Sequence, residues 1–221
     1  MNLSYYIIFS IGITLLSAGC ATESHRTIHP HTVNSIDVPY TGIQKEVSVG
    51  KFDNRSSYMR GLFSDGVDRL GGQAKTILIT HLDQSGRFKV LDRANMEEIA
   101  AEAKYQGADQ KIKGAQFVLT GHVTEFGRKV YGDRQLFGLF GSSKRQVAYS
   151  KVSLNVVDVL TSEVIYSVQG AGEYQLSSRE VMGFGGRSGY DSTLNGKVLD
   201  LAIREAVNRL VEGIETGALK L

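Results

Sequence analysis

Apolar and polar residues alternate along Glu46-Val-Ser-Val-Gly-Lys-Phe52, the period of a half-buried strand, and Asp53-Asn54 ends it. After a loop over residues 55–62 the period changes. Val67, Leu70, Ala74, Ile77, Leu78 and His81 fall at helical spacing and predict a long helix, in which His81 reads as a satisfied, partly buried side chain. Gly71-Gly72 interrupts that helix at up to ~1 kcal/mol each, so packing has to hold it together. Phe88-Lys-Val-Leu91 predicts a short strand, and Met96, Ile99, Ala100 and Ala103 mark the inner stripe of a second helix with Glu97, Glu98 and Glu102 outward. Apolar runs over 116–126, 147–159 and 164–174 predict three strands in a meander, the last two joined tightly through Asp158-Val-Leu-Thr-Ser-Glu163. A final stripe of Leu199, Ala202, Ile203, Ala206, Val207, Leu210, Val211 and Ile214 predicts a helix that closes the core. The order of elements predicts an α+β fold, a small mostly antiparallel sheet with helices on one face.

The N-terminus follows different rules. Its first nineteen residues contain no Asp, Glu, Lys or Arg. Residues 5–16 are mostly apolar, too few for the ~20 that cross a bilayer as a helix and the right number for the core of a signal peptide. Leu16-Ser-Ala-Gly-Cys20 then resembles the lipobox of bacterial lipoproteins. The resemblance implies cleavage before Cys20, a diacylglycerol on its thiol and a third acyl chain on its freed amine. At ~0.8 kcal/mol per buried methylene, several acyl chains hold a protein on a membrane far better than one. Ala21, where other lipoproteins carry Asp for the inner membrane, implies sorting to the outer membrane. Residues 21–44 hold both prolines, three of the five histidines and no hydrophobic period, the character of a linker. His25, His29 and His31 read as solvated, because no Cys, Asp or Glu completes a metal-binding set at useful spacing. The chain thus divides into a signal peptide at 1–19, a lipidated N-terminus and linker at 20–44, and a folded domain at 45–221.

Composition narrows the function. With 42% hydrophobic residues in 221, the chain can bury a real core, and its single Cys excludes a disulfide scaffold. The 25 Lys+Arg are interleaved with 23 Asp+Glu, so the basic footprint of a nucleic-acid binder is missing. No Gly-x-Ser-x-Gly elbow or His-Glu-x-x-His occurs, and Gly196-Lys197 is followed by Val198 instead of the hydroxyl that a phosphate-binding loop needs. The glycine-rich stretch 182–189 lacks a flanking strand and helix at dinucleotide-binding spacing and reads as a hairpin tip. These readings predict a non-enzymatic protein with no catalytic residue, cofactor or metal.

A family resemblance runs through Val47-Ser-Val-Gly-Lys-Phe-Asp-Asn54, Lys75-Thr-Ile-Leu-Ile-Thr-His-Leu82 and Ser85-Gly-Arg-Phe-Lys-Val-Leu-Asp-Arg93. It continues in Ala115-Gln-Phe-Val-Leu-Thr-Gly121, Val152-Ser-Leu-Asn-Val-Val-Asp158 and Ala202-Ile-Arg-Glu-Ala206. In this order, behind a lipobox, these stretches resemble the CsgG family, the curli production assembly/transport component. The resemblance implies an outer-membrane lipoprotein with its body in the periplasm, assembled as a homo-oligomeric ring. Each subunit would add β-hairpins, here 126–157 and 170–194, to a shared transmembrane barrel that exports fibre subunits. It also implies a constriction loop at 55–66 with Tyr58, Phe63 and Asp65, although packing at the helix start would explain the two aromatics equally. The hairpins fit a barrel poorly. Arg128 and Arg134 lie on one parity of the first arm and Lys129 and Asp133 on the other, at ~2–4 kcal/mol per Arg or Lys facing lipid near the midplane. The apolar parity of the return arm, Ala148, Val152, Leu154 and Val156, suits lipid better. A second reading therefore stands beside the first: a periplasm-facing lipoprotein module that docks or regulates an envelope partner such as a peptidoglycan synthase, with the hairpins as solvated loops.

Overall fold

Val47 and Val49 share one side of β1 (Lys45–Asn54) and both are buried. Strict alternation would bring Lys51 inward next. Instead, a bulge between Val49 and Phe52 re-phases the strand, so that Phe52 enters the core and Lys51 stays exposed. Strand β3 (Phe117–Arg134) does the same between Val123 and Glu125 against β4 (Ser142–Asp158), which keeps Phe126 on the side of Leu119 and Val123. The computed structural model describes residues 30–58, 68–134, 142–180 and 194–219.

With β2 (Phe88–Leu91) and β5 (Val164–Glu180) these strands form one open sheet in the order β2-β1-β3-β4-β5. β1 runs parallel to β2 and β3 over ladders of only four and six pairs, whereas the antiparallel β3–β4 and β4–β5 ladders run the length of their strands. Helices α1 (Arg69–Gln84) and α3 (Leu194–Glu215) pack side by side on one face of the sheet. The α3 stripe falls where its period predicts, with Leu199, Ala202, Ile203, Ala206, Val207 and Leu210 fully buried. Its approach to β5 depends on two glycines. A Cβ at Gly170 would collide with the Ala202 carbonyl oxygen, and one at Gly172 would stand 2.7 Å from Leu201 Cβ.

Three expectations change. Helix α2 (Met96–Tyr105) forms but buries no residue, and Ile99 of its apolar stripe is 39% exposed, because α1 and α3 already occupy the covered face. The folded body reaches back into the stretch read as linker: Val33 is 1% exposed and belongs to the core. Arg87 holds that segment down. Its Nη1 donates to the carbonyls of Ser35 (3.1 Å), Val38 (2.9 Å) and Ser85 (2.8 Å), and its Nη2 and Nε donate to Glu215 Oε1. Third, Ala148, Val152, Leu154 and Val156 are buried on the face that the helices cover, so this apolar parity is core rather than lipid-facing surface.

The three long strands also outrun their apolar runs. β3 and β4 remain paired to Arg134↔Ser142, and β4 and β5 to Ser142↔Glu180, as a three-stranded tongue beyond the helix-covered part. The tips of both expected hairpins, 135–141 and 181–193, lie outside the described residues, and Leu194, the expected end of the second, opens α3.

Candidate functional site

β1, β3 and β5 start at one end of the sheet, the turn pole, where Asp158 meets Glu163. At the other end, the stem pole, lie Asn54, Tyr58, the start of α3 and the root of the tongue. A set of hydrogen bonds here holds the described residues on either side of 59–67, Asn54 to Tyr58 and Asp68.

Asp68 is the N-cap of α1, as expected of a short acceptor that can satisfy a first-turn donor. Its Oδ1 accepts from the Gly71 amide (2.8 Å) and its Oδ2 from the Asn54 amide (2.6 Å), so one carboxylate ties the helix start to the strand end. Asn54 then shapes the departing chain. Its Oδ1 accepts from the amide (3.0 Å) and hydroxyl (2.6 Å) of Ser56, and its Nδ2 donates to the Tyr58 carbonyl (3.2 Å). The Tyr58 ring packs edge-on against Phe126 with centroids 4.8 Å apart, and its hydroxyl accepts from Asn195 Nδ2 at 2.8 Å. Arg128 Nη2 donates to Asn195 Oδ1 (2.8 Å), which joins the tongue root to α3. With both Asp68 oxygens engaged by backbone amides, the arrangement is mechanical: it fixes where a loop begins and ends.

Of the residues singled out in the sequence, Tyr58 thus sits at this stem, while Cys20, Phe63 and Asp65 lie outside the described residues. Asn54, Asp68, Arg128 and Asn195 escaped sequence reasoning. The N-cap preference for Asp just ahead of the helical stripe could have found Asp68, but the partners are joined only by the fold.

Two histidines are held in different ways. His81, 3% exposed, directs Nε2 to Asp200 Oδ1 at 2.9 Å and Nδ1 to the Gln84 side-chain Oε1 at 3.2 Å, which links α1 to α3. The Asp200 carboxylate can only accept, so Nε2 carries the hydrogen. His122, opposite Asp53 in the β1–β3 ladder, has a buried Nδ1 with no hydrogen-bond partner among the described residues. Burial, followed by the Arg55 cation, pushes its imidazole below the ordinary 6.5; Asp53 pulls the other way.

No helix among the described residues is long and apolar enough to cross a membrane, which says nothing about strands. The family model described as "Curli production assembly/transport component CsgG" matches residues 35–220. A Neisseria meningitidis serogroup B protein named "Putative lipoprotein NMB1126/NMB1164" is 60% identical over 200 residues, 90% of each chain. Among solved structures, the PelC dodecamer of Paraburkholderia phytofirmans aligns at a TM-score of 0.35 and 17% identity, over 77% of this chain and 91% of that one. Lipoprotein GNA1162 of Neisseria meningitidis aligns at 0.37 and 19%, over 78% and 99%. At these TM-scores neither assembly nor partner is carried over to this chain.

Proposed function

This chain belongs to the CsgG family, and from that premise we propose that it is a lipoprotein of the bacterial outer membrane with its body in the periplasm. Acyl chains on Cys20 hold it there. It serves secretion or anchoring of curli-like fibre subunits as a non-enzymatic member of a homo-oligomeric assembly. The observation that carries this reading is the stem pole, where the three-stranded tongue leaves the body beside the hydrogen-bonded residues Asn54 and Asp68. Within such an assembly Tyr58 roots the loop, while Phe63 and Asp65 narrow the passage that the loop borders. Negative-stain imaging of protein extracted from its native cells tests the assembly: closed rings with a central hole support it, and monodisperse monomers refute it. Mass spectrometry of the N-terminal peptide tests the anchor, and a bare Cys20 thiol refutes that part. Conductance in lipid bilayers tests the loop, since unchanged conductance after Phe63→Ala with Asp65→Asn removes its role in narrowing the passage.

One observation favours a second reading. The ladder sets Lys144 opposite Gly132 and Arg145 opposite Tyr131, so basic positions fall on both alternations of the tongue, as they do at Arg128 and Lys129. Either face then brings charge to lipid, at ~2–4 kcal/mol per Arg or Lys at mid-bilayer. A tongue of this composition suits a solvated arm that docks an envelope partner, such as a peptidoglycan synthase. Monodisperse monomers in the same images, together with co-purification of such a partner, support this reading.

A further inference from the structure

We propose that the body part of β5, Val164 to Gly172, is a strand-addition site that takes an extended, basic segment of another polypeptide against α3. This goes beyond the assembly reading above and holds for rings and monomers alike.

β5 ends the sheet on one side: among the described residues its only strand neighbour is β4. A free edge presents unpaired N–H and C=O groups, and native proteins blunt such edges with lysines, prolines or bulges. None of these devices is present here. Val164 to Gly172 contains no proline and no charged residue, and from Tyr166↔Val156 to Gly172↔Ser150 the ladder runs without a bulge. Ser167, Gln169 and Ala171 are exposed, on the alternation that points away from the helices, whereas Tyr166 and Val168 point toward α3.

The helix turns this edge into a groove. Gly170 and Gly172 let α3 lie close to the strand, and a Cβ at Gly213 would stand 2.6 Å from the Tyr166 hydroxyl, so the Tyr166 ring bridges strand and helix. The trough that remains has a volume of about 650 Å³, with Tyr166 to Gln169 along one wall and Glu205, Arg209 and Glu212 along the other. That is within the usual range of ligand sites, but one wall is a strand edge, so the occupant that satisfies it is an extended backbone.

The helix wall sets the charge of that occupant. Arg209 Nε donates to Glu205 Oε1 at 2.8 Å and the two charges cancel, while no salt bridge among the described residues engages the exposed Glu212. A strand added to β5 directs alternate side chains toward α3 and the others away. The first set meets Glu212 beside Tyr166 and Val168 and favours Lys with an apolar residue between; the second lies beside Ser167 and Gln169 and favours Ser or Thr. A second copy of this chain fits less well. Two β5 edges paired about a two-fold axis would bring two acidic walls together, and β2, the other edge strand, offers only four residues.

The probe is the peptide fluorescein-Ser-Lys-Thr-Val-Thr-Lys-Ser-amide, titrated with the mature acylated protein in detergent micelles and followed by anisotropy and by hydrogen exchange. The expected result is saturable binding, with slowed exchange confined to residues 164–172. Pro-Pro in place of the central Thr-Val should abolish binding. Glu in place of both Lys should weaken it by about tenfold, as should Glu212→Lys in the protein, and the Glu peptide should bind Glu212→Lys better than the unaltered protein. Absence of saturable binding, equal binding of the Pro-Pro peptide, slowed exchange elsewhere, or unchanged affinity in Glu212→Lys overturns the proposal. So does exchange at 164–172 that is already slow without peptide, which assigns this edge to a neighbouring copy. Rings and monomers in negative stain give the same expected binding, so the failure of one reading is distinct from the failure of the other.

Discussion

Two adjacent glycines in α1 provide a sharp test of the clamp at the stem pole, because their substitution by alanine has opposite expected signs. Gly72 is exposed on the helix, and a Cβ there would meet nothing within 4 Å. Gly72→Ala should therefore recover the helical preference of alanine, up to ~1 kcal/mol, and raise the melting temperature by about 2–4 °C for a domain of this size. Gly71 is buried, and a Cβ there would overlap the Phe52 carbonyl oxygen and Asp68 Oδ2 and stand 2.8 Å from the carboxyl carbon of Asp68. Ordinary contact needs ~3.5 Å, so strand or carboxylate must yield by about 1 Å. Swinging Asp68 away removes the N-cap, at ~0.5–2 kcal/mol, and the bond to the Asn54 amide, at ~1 kcal/mol. Set against the same ~1 kcal/mol gain in propensity, Gly71→Ala should destabilise by about 0.5–2 kcal/mol, a fall of about 1–8 °C. Thermal unfolding of the mature protein followed by circular dichroism checks both. If the two variants shift the midpoint upward by equal amounts, the Asp68 clamp does not exist.

Gly170→Ala should force α3 off β5 and cost about 1–3 kcal/mol of overpacking, read from the denaturant midpoint. Arg87→Ala removes the donor to three carbonyls at ~1 kcal/mol each; faster hydrogen exchange at the Ile36 and Val38 amides, with the helical signal retained, is the expected signature. For His122 the folded state holds the imidazole below its ordinary 6.5, so the unfolded chain takes up protons first and stability falls as pH drops through 6.5. His122→Gln should flatten that part of the stability–pH curve, and an unchanged curve would refute the assignment. For Asp158 the sign is reversed. The Thr161 amide, aided by its hydroxyl and the Leu160 amide, lowers the carboxyl below 3.8, so its contribution is present at neutral pH and is lost as pH falls below 3.8 through the folded value. The stability gap between the protein and Asp158→Asn should close over that acid range.

Hydrophobic period located the elements well where a single face meets a single core. The α3 stripe from Leu199 to Leu210 and the strand Phe88–Leu91 are cases of this kind. It failed where the same pattern is compatible with two surroundings. In α2, Met96, Ile99, Ala100 and Ala103 share a face, but a face says only which side is apolar, and the sheet already has its two covering helices. Ala148, Val152, Leu154 and Val156 likewise have the period of a lipid-facing arm and of a core strand alike; α3, brought close by Gly170 and Gly172, makes them core. The bulges before Phe52 and Phe126 were hidden because each inserts one extra residue into an alternation that still looks apolar at both ends.

The stem clamp was illegible for a different reason. Asp68 announces itself locally, but its second partner, Asn54, lies fourteen residues back across the loop, and Tyr58 reaches Asn195 over 137 positions. Polar residues carry no period that survives such separations, whereas the apolar residues that bring them together do. Val33 marks the limit of that rule. One apolar side chain in a stretch of Pro, His and Thr has no period to reveal it, yet it is 1% exposed because the Arg87 guanidinium, itself buried, collects the carbonyls of Ser35 and Val38 that follow it. Burial of that cation is tolerable only while its donors are filled, so the segment and the arginine stabilise each other. Where the tether ends and the body begins is therefore set by a charge 52 residues away from Ser35, and not by the composition of the tether.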